Sequence, residues 1–312
     1  MLNLTIAQIK PLTSRISEFT LVASEPDAGP LPGWAAGAHI DIETDAGSRS
    51  YSLISWPGGE IDKYQIAVQR EDDGEGGSRA MHALTKGDTV TATSPANDFA
   101  LVADSKPVAL LAGGIGVTPL ISMATGLTSQ NRPFKFHYAG RSADQMAWLE
   151  KLQSTFGSTF QAHPDDAAPL DLNAFLTTIS DHSLYICGPK GMIDAARIAA
   201  EAVGIAPEYI HVELFTTAAP ETGDTAFEIE VSSTGQVVTV RADQTIVDAL
   251  EEAGLDPMYD CQRGDCGICQ TDVVSGTPDH RDVVLSQAER DSGKVMQICV
   301  SRAFSDRLVL DL

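Results

Sequence analysis

Four of the five cysteines fall in one register: Cys261-x4-Cys266-x2-Cys269, a gap of 29 residues, then Cys299. Thiolates in this order and spacing are the ligand set of a plant-type [2Fe–2S] cluster, a centre that moves one electron at a time. Three of the sulfurs lie on one tight loop. Gly264 and Gly267 let that loop turn and bring amide N–H groups toward sulfur. The fourth must arrive from a distant element, and Met296-Gln297-Ile298-Cys299 supplies it. Other readings account for less. A structural zinc site pairs two close cysteine couples, whereas the far partner here is single. A zinc-deaminase reading of His211-Val212-Glu213 with Cys266-x2-Cys269 leaves Cys261 without a role.

Four further motifs have the chemistry to hold phosphates and planar rings. In Arg49-Ser50-Tyr51-Ser52 a guanidinium suits a phosphate, a phenol suits a flat ring, and a serine hydroxyl can donate to a ring nitrogen. On a strand, 49 and 51 share one face and 50 and 52 the other. Gly76-Gly77-Ser78 opens a short helix whose free N–H groups favour an anion. Gly113-Gly114-Ile115-Gly116-Val117-Thr118-Pro119 follows a buried apolar run and opens a helix, so its glycines permit close approach to a pyrophosphate. It is not the full G-x-G-x-x-G fingerprint, and no standard Rossmann site is read from it. Cys187-Gly188-Pro189 ends another buried strand, where ligand crevices form. Taken singly, these also read as an amphipathic strand, a helix cap with Ser78 as N-cap, a Gly-Gly turn and an inert buried thiol. The seven histidines show no metal-ligand spacing, and Trp34, Trp56 and Trp148 carry no pattern.

The elements that must position these residues imply a multi-domain chain. Residues 1–102 show period-2 strands at 4–9, 19–23, 39–43, 50–54, 63–68 and 89–93, with a helix at 77–84, which predicts a small antiparallel β-barrel. Residues 103–216 alternate strands (107–112, 134–138, 184–187, 210–215) with helices (from 118, 147–156, 190–203), which predicts an α/β domain with a parallel sheet. A small, polar linker follows at 217–225. Residues 226–312 begin with a hairpin, 227–231 and 237–241, then a helix over 246–253 capped by Thr245. Strands at 270–274 and 307–311 complete an α+β domain around the cysteines.

The net charge of −22 is spread along the whole chain. Nucleic acid is disfavoured by that sign. The charge serves solubility or docks a partner with a basic face, and Asp260, Asp265 and Asp272, with Arg263 among them, would form a mixed, mostly acidic rim around the cluster loop. No apolar run is long enough for a membrane span. Met1-Leu2-Asn3-Leu4 begins a segment without signal-peptide character, so disulfides are not expected and the expected compartment is the cytoplasm.

Taken in order, the motifs Arg49-x-Tyr51-Ser52, Gly76-Gly77-Ser78, Gly113 to Pro119, Cys187-Gly188-Pro189, Glu213-x-Phe215 and the four cluster cysteines resemble the phthalate dioxygenase reductase and vanillate demethylase reductase family over essentially the whole chain. The resemblance implies an FMN-binding barrel, an NAD domain and a C-terminal β-grasp ferredoxin domain, in a monomeric NADH-dependent reductase. Electrons would pass from NADH through FMN and the cluster to a terminal oxygenase of the Rieske type. It implies that Arg49 and Ser78 hold the FMN phosphate with the helix start at Gly76 and Gly77. Tyr51 would lie along the isoalloxazine and Ser52 would reach its N5 region, with Ser50 and Val68 also in the flavin set. Gly113, Gly114, Gly116, Thr118, Arg141, Cys187, Gly188 and Pro189 would form the nucleotide side. Glu213 would line the hydride-transfer pocket and Phe215 would cover the flavin. One departure stands out: relatives often carry a basic residue just before Gly-Gly-Ser, and this chain has Glu75, with Asp72 and Asp73 nearby. A looser flavin is one consequence. Two alternatives stay open, a stand-alone reductase of a small acceptor and a non-catalytic ferredoxin-type carrier.

Overall fold

A computed structural model describes residues 1–25, 29–59, 62–215 and 223–312. Most of the linker read at 217–225 therefore lies outside the described residues. The chain forms two compact units, Met1–Glu213 and Leu214–Leu312.

In the first unit six strands, β1 (Leu2–Pro11), β2 (Ile16–Ala23), β3 (His39–Thr44), β4 (Gly47–Ser52), β5 (Tyr64–Gln69) and β6 (Thr89–Ala92), form an antiparallel sheet in the order β4-β3-β6-β1-β2-β5. The chain leaving β4 meets the far edge, where Ile54 N–H donates to Gln65 O at 2.8 Å, so the sheet curls into a near-barrel. Leu4, Ile6, Phe19, Leu21, Ile40, Ile42 and Ile66 fill the interior. Helix α1 (Gly77–Ala83) adds Met81 to that core. Its cap differs from the sequence reading. Gly76, at φ 107°, is the N-cap, because the turn into the helix needs a conformation that serine avoids. Ser78 sits inside the first turn.

Next comes a parallel sheet, β7 (Val108–Gly113), β8 (Phe134–Gly140), β9 (Phe160–Pro164), β10 (Ser183–Cys187) and β11 (Ile210–Glu213), in the order β11-β10-β7-β8-β9. Helices α2 (Val117–Ser129), α3 (Leu149–Phe156), α4 (Leu172–Thr177) and α5 (Lys190–Ala202) connect the strands. Every residue of β7 is buried, as a central parallel strand requires. The strand order reverses between β7 and β10, which opens a crevice at their carboxyl ends. β9 and α4 escaped the sequence reading. β9 is five residues ending in proline and α4 is six, both too short for a periodic signal.

Barrel and parallel sheet share one core. Ile16, Ile54, Trp56 and Phe99 pack with Val117, Leu120, Phe136 and Tyr138. Two of the three tryptophans that showed no pattern in sequence meet here: Trp56 and Trp148 lie edge to face at 6.0 Å, and Trp148 Nε1 donates to Glu18 Oε2 at 2.7 Å.

The second unit holds a mixed five-stranded sheet. Strands β12 (Phe227–Val231), β13 (Val237–Val240), β14 (Gln270–Ser275), β16 (Val295–Gln297) and β18 (Arg307–Leu310) run in the order β13-β12-β18-β14-β16, with β12 and β18 parallel. β15 (Pro278–Asp279) pairs with β17 (Arg302–Ala303). Helix α6 (Ile246–Glu252) buries Ile246, Val247, Ala249 and Leu250 in the core, and Thr245 with Asp248 closes a full capping box. Helix α7 (Gln287–Ser292) carries a second box, Ser286 with Glu289. Among the described residues no helix is long and apolar enough to cross a membrane.

Candidate functional site

Two centres emerge, one in each unit. In the first, Arg49 on β4 lays its stem across the start of α1: a Cβ on Gly77 would lie 2.6 Å from Arg49 Cγ. Only glycine lets the guanidinium reach this turn. Nη2 donates to Glu75 Oε2 at 2.5 Å and Nη1 to Ser48 O at 2.6 Å. The Ser78 hydroxyl accepts from Glu71 N–H at 3.0 Å. Arg49, Gly76, Gly77 and Ser78 are thus brought together, as the sequence reading expects.

Tyr51 shares the Arg49 face. Burial pushes its phenol up to about 12, against the pull of the Arg49 charge. Ser52 is buried, and its hydroxyl has no hydrogen-bond partner in the protein. An orphaned buried hydroxyl costs about 1–3 kcal/mol, and a flavin ring nitrogen would satisfy it. This side chain therefore fits the group that the motif implies. Ser50 lies on the same strand face as Ser52, opposite Arg49 and Tyr51, but its hydroxyl is taken, donating to Asp41 Oδ1 at 2.5 Å. The Val68 side chain belongs to the barrel core. The structure does not bring either side chain to the Arg49–Tyr51 face.

The barrel is bolted to the glycine loop through α2. Ser122 Oγ donates to Leu53 O at 2.6 Å and accepts from Ser55 N–H at 3.1 Å, while Thr125 Oγ1 donates to Ser55 O at 2.8 Å. These residues sit one and two turns beyond Thr118. They tie the exit of β4 to the helix that the glycine loop opens. Nothing in the sequence marks them, since a serine on a helix face is ordinary. Thr118 is buried and donates to Ile115 O at 3.0 Å.

The glycines divide their labour differently from expectation. A Cβ on Gly116 would lie 2.3 Å from Cys187 O, and one on Gly113 would lie 2.7 Å from Pro189 Cδ. A Cβ on Gly188 would lie 2.9 Å from Gly113 Cα. These three lock the β7 loop against the Cys187-Gly188-Pro189 turn. Gly114 alone, at φ 54°, has nothing within 4 Å of its Cβ position. Gly116→Ala forces backbone against backbone, an overpacking cost of about 1–3 kcal/mol. It should lower the thermal midpoint by several degrees without changing iron content. An unchanged midpoint would show that the two loops are not packed as described.

Cys187 ends β10 beside Glu213, which ends β11, and the thiol donates to Glu213 Oε2 at 3.9 Å. Both are buried. Arg141 is exposed just after β8. Phe215 lies in the second unit with 42% of its surface exposed.

The second centre is the cysteine loop. Cys269 and Cys299 are buried with sulfurs 3.1 Å apart, while Cys261 and Cys266 are half-buried. Arg263 N–H donates to Cys261 Sγ at 3.3 Å. Gly264 and Gly267 hold φ 79° and 81°, and a Cβ on Gly264 would lie 2.6 Å from Val300 Cγ2. Asp282 supports the loop from behind: its Oδ2 accepts from Val284 and Leu285 N–H, and Val283 N–H donates to Gly264 O at 2.9 Å. The bond from Cys299 pulls Cys261 down to about 3, and its thiol neighbours push Cys299 above the ordinary range. Crowded sulfurs with a donated N–H fit an iron–sulfur group.

One expectation for this loop is overturned. Asp265 is not part of an exposed rim. Its side chain is 5% exposed, its Oδ2 accepts from Leu214 N–H at 2.8 Å, and Arg263 Nε stands 3.4 Å away. Burial, opposed by Arg263, pushes its carboxyl up to about 7. The side chain turns inward because Leu214 N–H, 51 residues back in the chain, offers it a backbone donor there. Asp260 and Asp272 are exposed, as are Met258 and Ile268.

Comparison with known proteins accords with both centres. Residues 229–304 match the family described as a 2Fe-2S iron-sulfur cluster binding domain. The vanillate O-demethylase oxidoreductase of Pseudomonas sp. (strain HR199 / DSM 7063) is 37% identical over 100% of both chains. The structure of phthalate dioxygenase reductase, described as modular for electron transfer from pyridine nucleotides to [2Fe-2S], aligns at 33% identity and TM-score 0.68, covering 100% of this chain and 98% of its own. An intact type IV self-sufficient cytochrome P450 monooxygenase aligns at 36% identity and TM-score 0.73 over 100% of this chain, which spans only 41% of that protein. Carrying the cluster cysteines in a matched domain and similar from end to end to two reductases, the chain belongs to the phthalate dioxygenase reductase and vanillate demethylase reductase family of iron–sulfur oxidoreductases.

Proposed function

We propose that this protein is the reductase component of an oxygenase system, a monomer of the cytoplasm that takes electrons from NADH and delivers them singly to a separate terminal oxygenase of the Rieske type. The observation that carries the reading is the presence, in one chain, of a four-cysteine electron centre and a buried Ser52 hydroxyl without a partner on the strand whose Arg49 crosses the start of α1. FMN, when bound, accepts two electrons together as hydride and releases them one at a time.

The residues of the chain supply position and exclusion. Arg49 and Ser78 would hold the phosphate, and Tyr51 would present its face to the ring system. Ser52, whose buried hydroxyl has no partner in the protein, would donate to a flavin ring nitrogen. Thr118, Gly114 and the Cys187-Gly188-Pro189 turn border the nicotinamide side, and Arg141 lies after β8 on the nucleotide side. Glu213, buried beside Cys187, keeps the end of β11 polar in a water-poor site. Backbone N–H groups at the Gly264 and Gly267 turns tune the cluster sulfurs.

The test is reconstitution with purified oxygenases. NADH-driven substrate oxidation should appear with a Rieske oxygenase. Turnover with a haem oxygenase alone would replace that partner type, and equal NADH consumption with or without any oxygenase would point to a stand-alone reductase. Docking should run through the exposed acids near the cluster. Asp260→Lys with Asp272→Lys should slow oxygenase reduction severalfold and leave NADH–ferricyanide activity unchanged. Wild-type coupling should fall from dilute buffer to about 0.5 M salt, where screening reaches a few ångströms. A flat profile would assign the acidity to solubility.

A further inference from the structure

Residues 71–75 contribute four carboxylates, Glu71, Asp72, Asp73 and Glu75, to the loop before α1. Glu71 pairs with Arg15 at 2.8 Å and Asp72 with Arg70 at 2.7 Å. Glu75 pairs with Arg49 at 2.5 Å. The same loop also uses the Ser78 hydroxyl, through Glu71 N–H at 3.0 Å. Both side chains assigned to the flavin phosphate are therefore engaged by one acidic loop.

We infer that Glu75 is a built-in competitor for the flavin phosphate, holding the Arg49 guanidinium so that flavin binding exchanges a carboxylate for a phosphate on the same arginine. This rests on the flavin reading proposed above. The arginine stem is laid across Gly77, which limits where its head can reach. Carboxylate and phosphate oxygens both suit the guanidinium fork, so they compete for one set of donors. The phosphate brings more charge and a third oxygen, and the ring system adds its own contacts. Glu75 is 82% exposed and swings into water when displaced, so it acts as a brake and not a block. The chain pays for a quiet apo state with a looser phosphate grip, and Glu75 becomes the residue that sets flavin retention.

The test measures binding, independent of turnover. Flavin-free wild type and Glu75→Gln are titrated with FMN and with riboflavin, which lacks the phosphate, and followed by flavin fluorescence. Removing an exposed competing charge is expected to tighten FMN by about two- to fivefold. Riboflavin affinity should not change. The gain should vanish on an Arg49→Ala background, as a double-mutant cycle requires when two side chains act through each other, and it should shrink with added salt. Equal tightening of FMN and riboflavin, an unchanged FMN affinity, or a gain that survives Arg49→Ala would overturn the inference while leaving the flavin reading intact. If neither protein binds flavin, the flavin reading falls and the inference with it.

Discussion

Cys299→Ser should strip the protein of its cluster and leave its flavin in place. Cys299 lies in the core of the second unit with Cys269, Ile298 and Val300, while the flavin-side residues from Arg49 to Glu213 lie in the first. Its sulfur is 3.1 Å from that of Cys269, and Gln297, fully buried, accepts from the Cys269 thiol at 3.3 Å. Losing one thiolate of four removes a ligand that neither of the flanking residues, Ile298 and Val300, can replace. Iron content should fall and cytochrome c reduction should drop by more than about tenfold, since even outer-shell changes at metal sites cost about 10–100-fold. NADH–ferricyanide activity, which draws on the flavin directly, should stay near wild type. Equal cytochrome c activity in both proteins would show that electrons do not leave through the cluster. Zinc in place of iron in anaerobically purified wild type would remove the electron-transfer reading altogether.

Arg49→Ala should weaken FMN binding by roughly ten- to hundredfold, because a charge-assisted contact to phosphate is worth about 1.5–3 kcal/mol and 1.4 kcal/mol is a factor of ten. Riboflavin should bind as before. Extraction and chromatography of the bound cofactor gives its identity, and FAD as the sole flavin would refute the FMN assignment while leaving a flavin reductase standing. An unaltered FMN affinity in Arg49→Ala would move the phosphate away from α1.

How much of this was legible in the sequence depended on the range of the interaction. The cysteine register announces its chemistry because ligand geometry demands fixed spacing on one short loop. The six barrel strands and the β7–α2 and β10–α5 units announce themselves through apolar periodicity, which is local. β9, α4, α7 and the β15–β17 pair have too few residues to show a period, so tertiary packing decides them. Contacts between distant segments leave no local trace. Nothing near Ser122 says that it will hold Leu53 and Ser55, 69 and 67 residues away. Glycine count suggested a phosphate cradle, yet Gly113 and Gly116 are consumed by loop-on-loop packing against β10. Asp265 looked like a surface acid because an acidic residue in a polar loop usually is one. The donor that draws it inward, Leu214 N–H, lies 51 residues back. Glu75 was visible as an oddity, but its partner was not.

The most direct test of the account is an anaerobic titration of the purified full-length protein with NADH, followed together by visible absorption and low-temperature electron-spin resonance. The account predicts that NADH bleaches the flavin band and then yields the rhombic signal of a reduced plant-type cluster, with iron near two per chain. A cluster that dithionite reduces while NADH leaves it oxidised, in protein that holds its flavin, would contradict it.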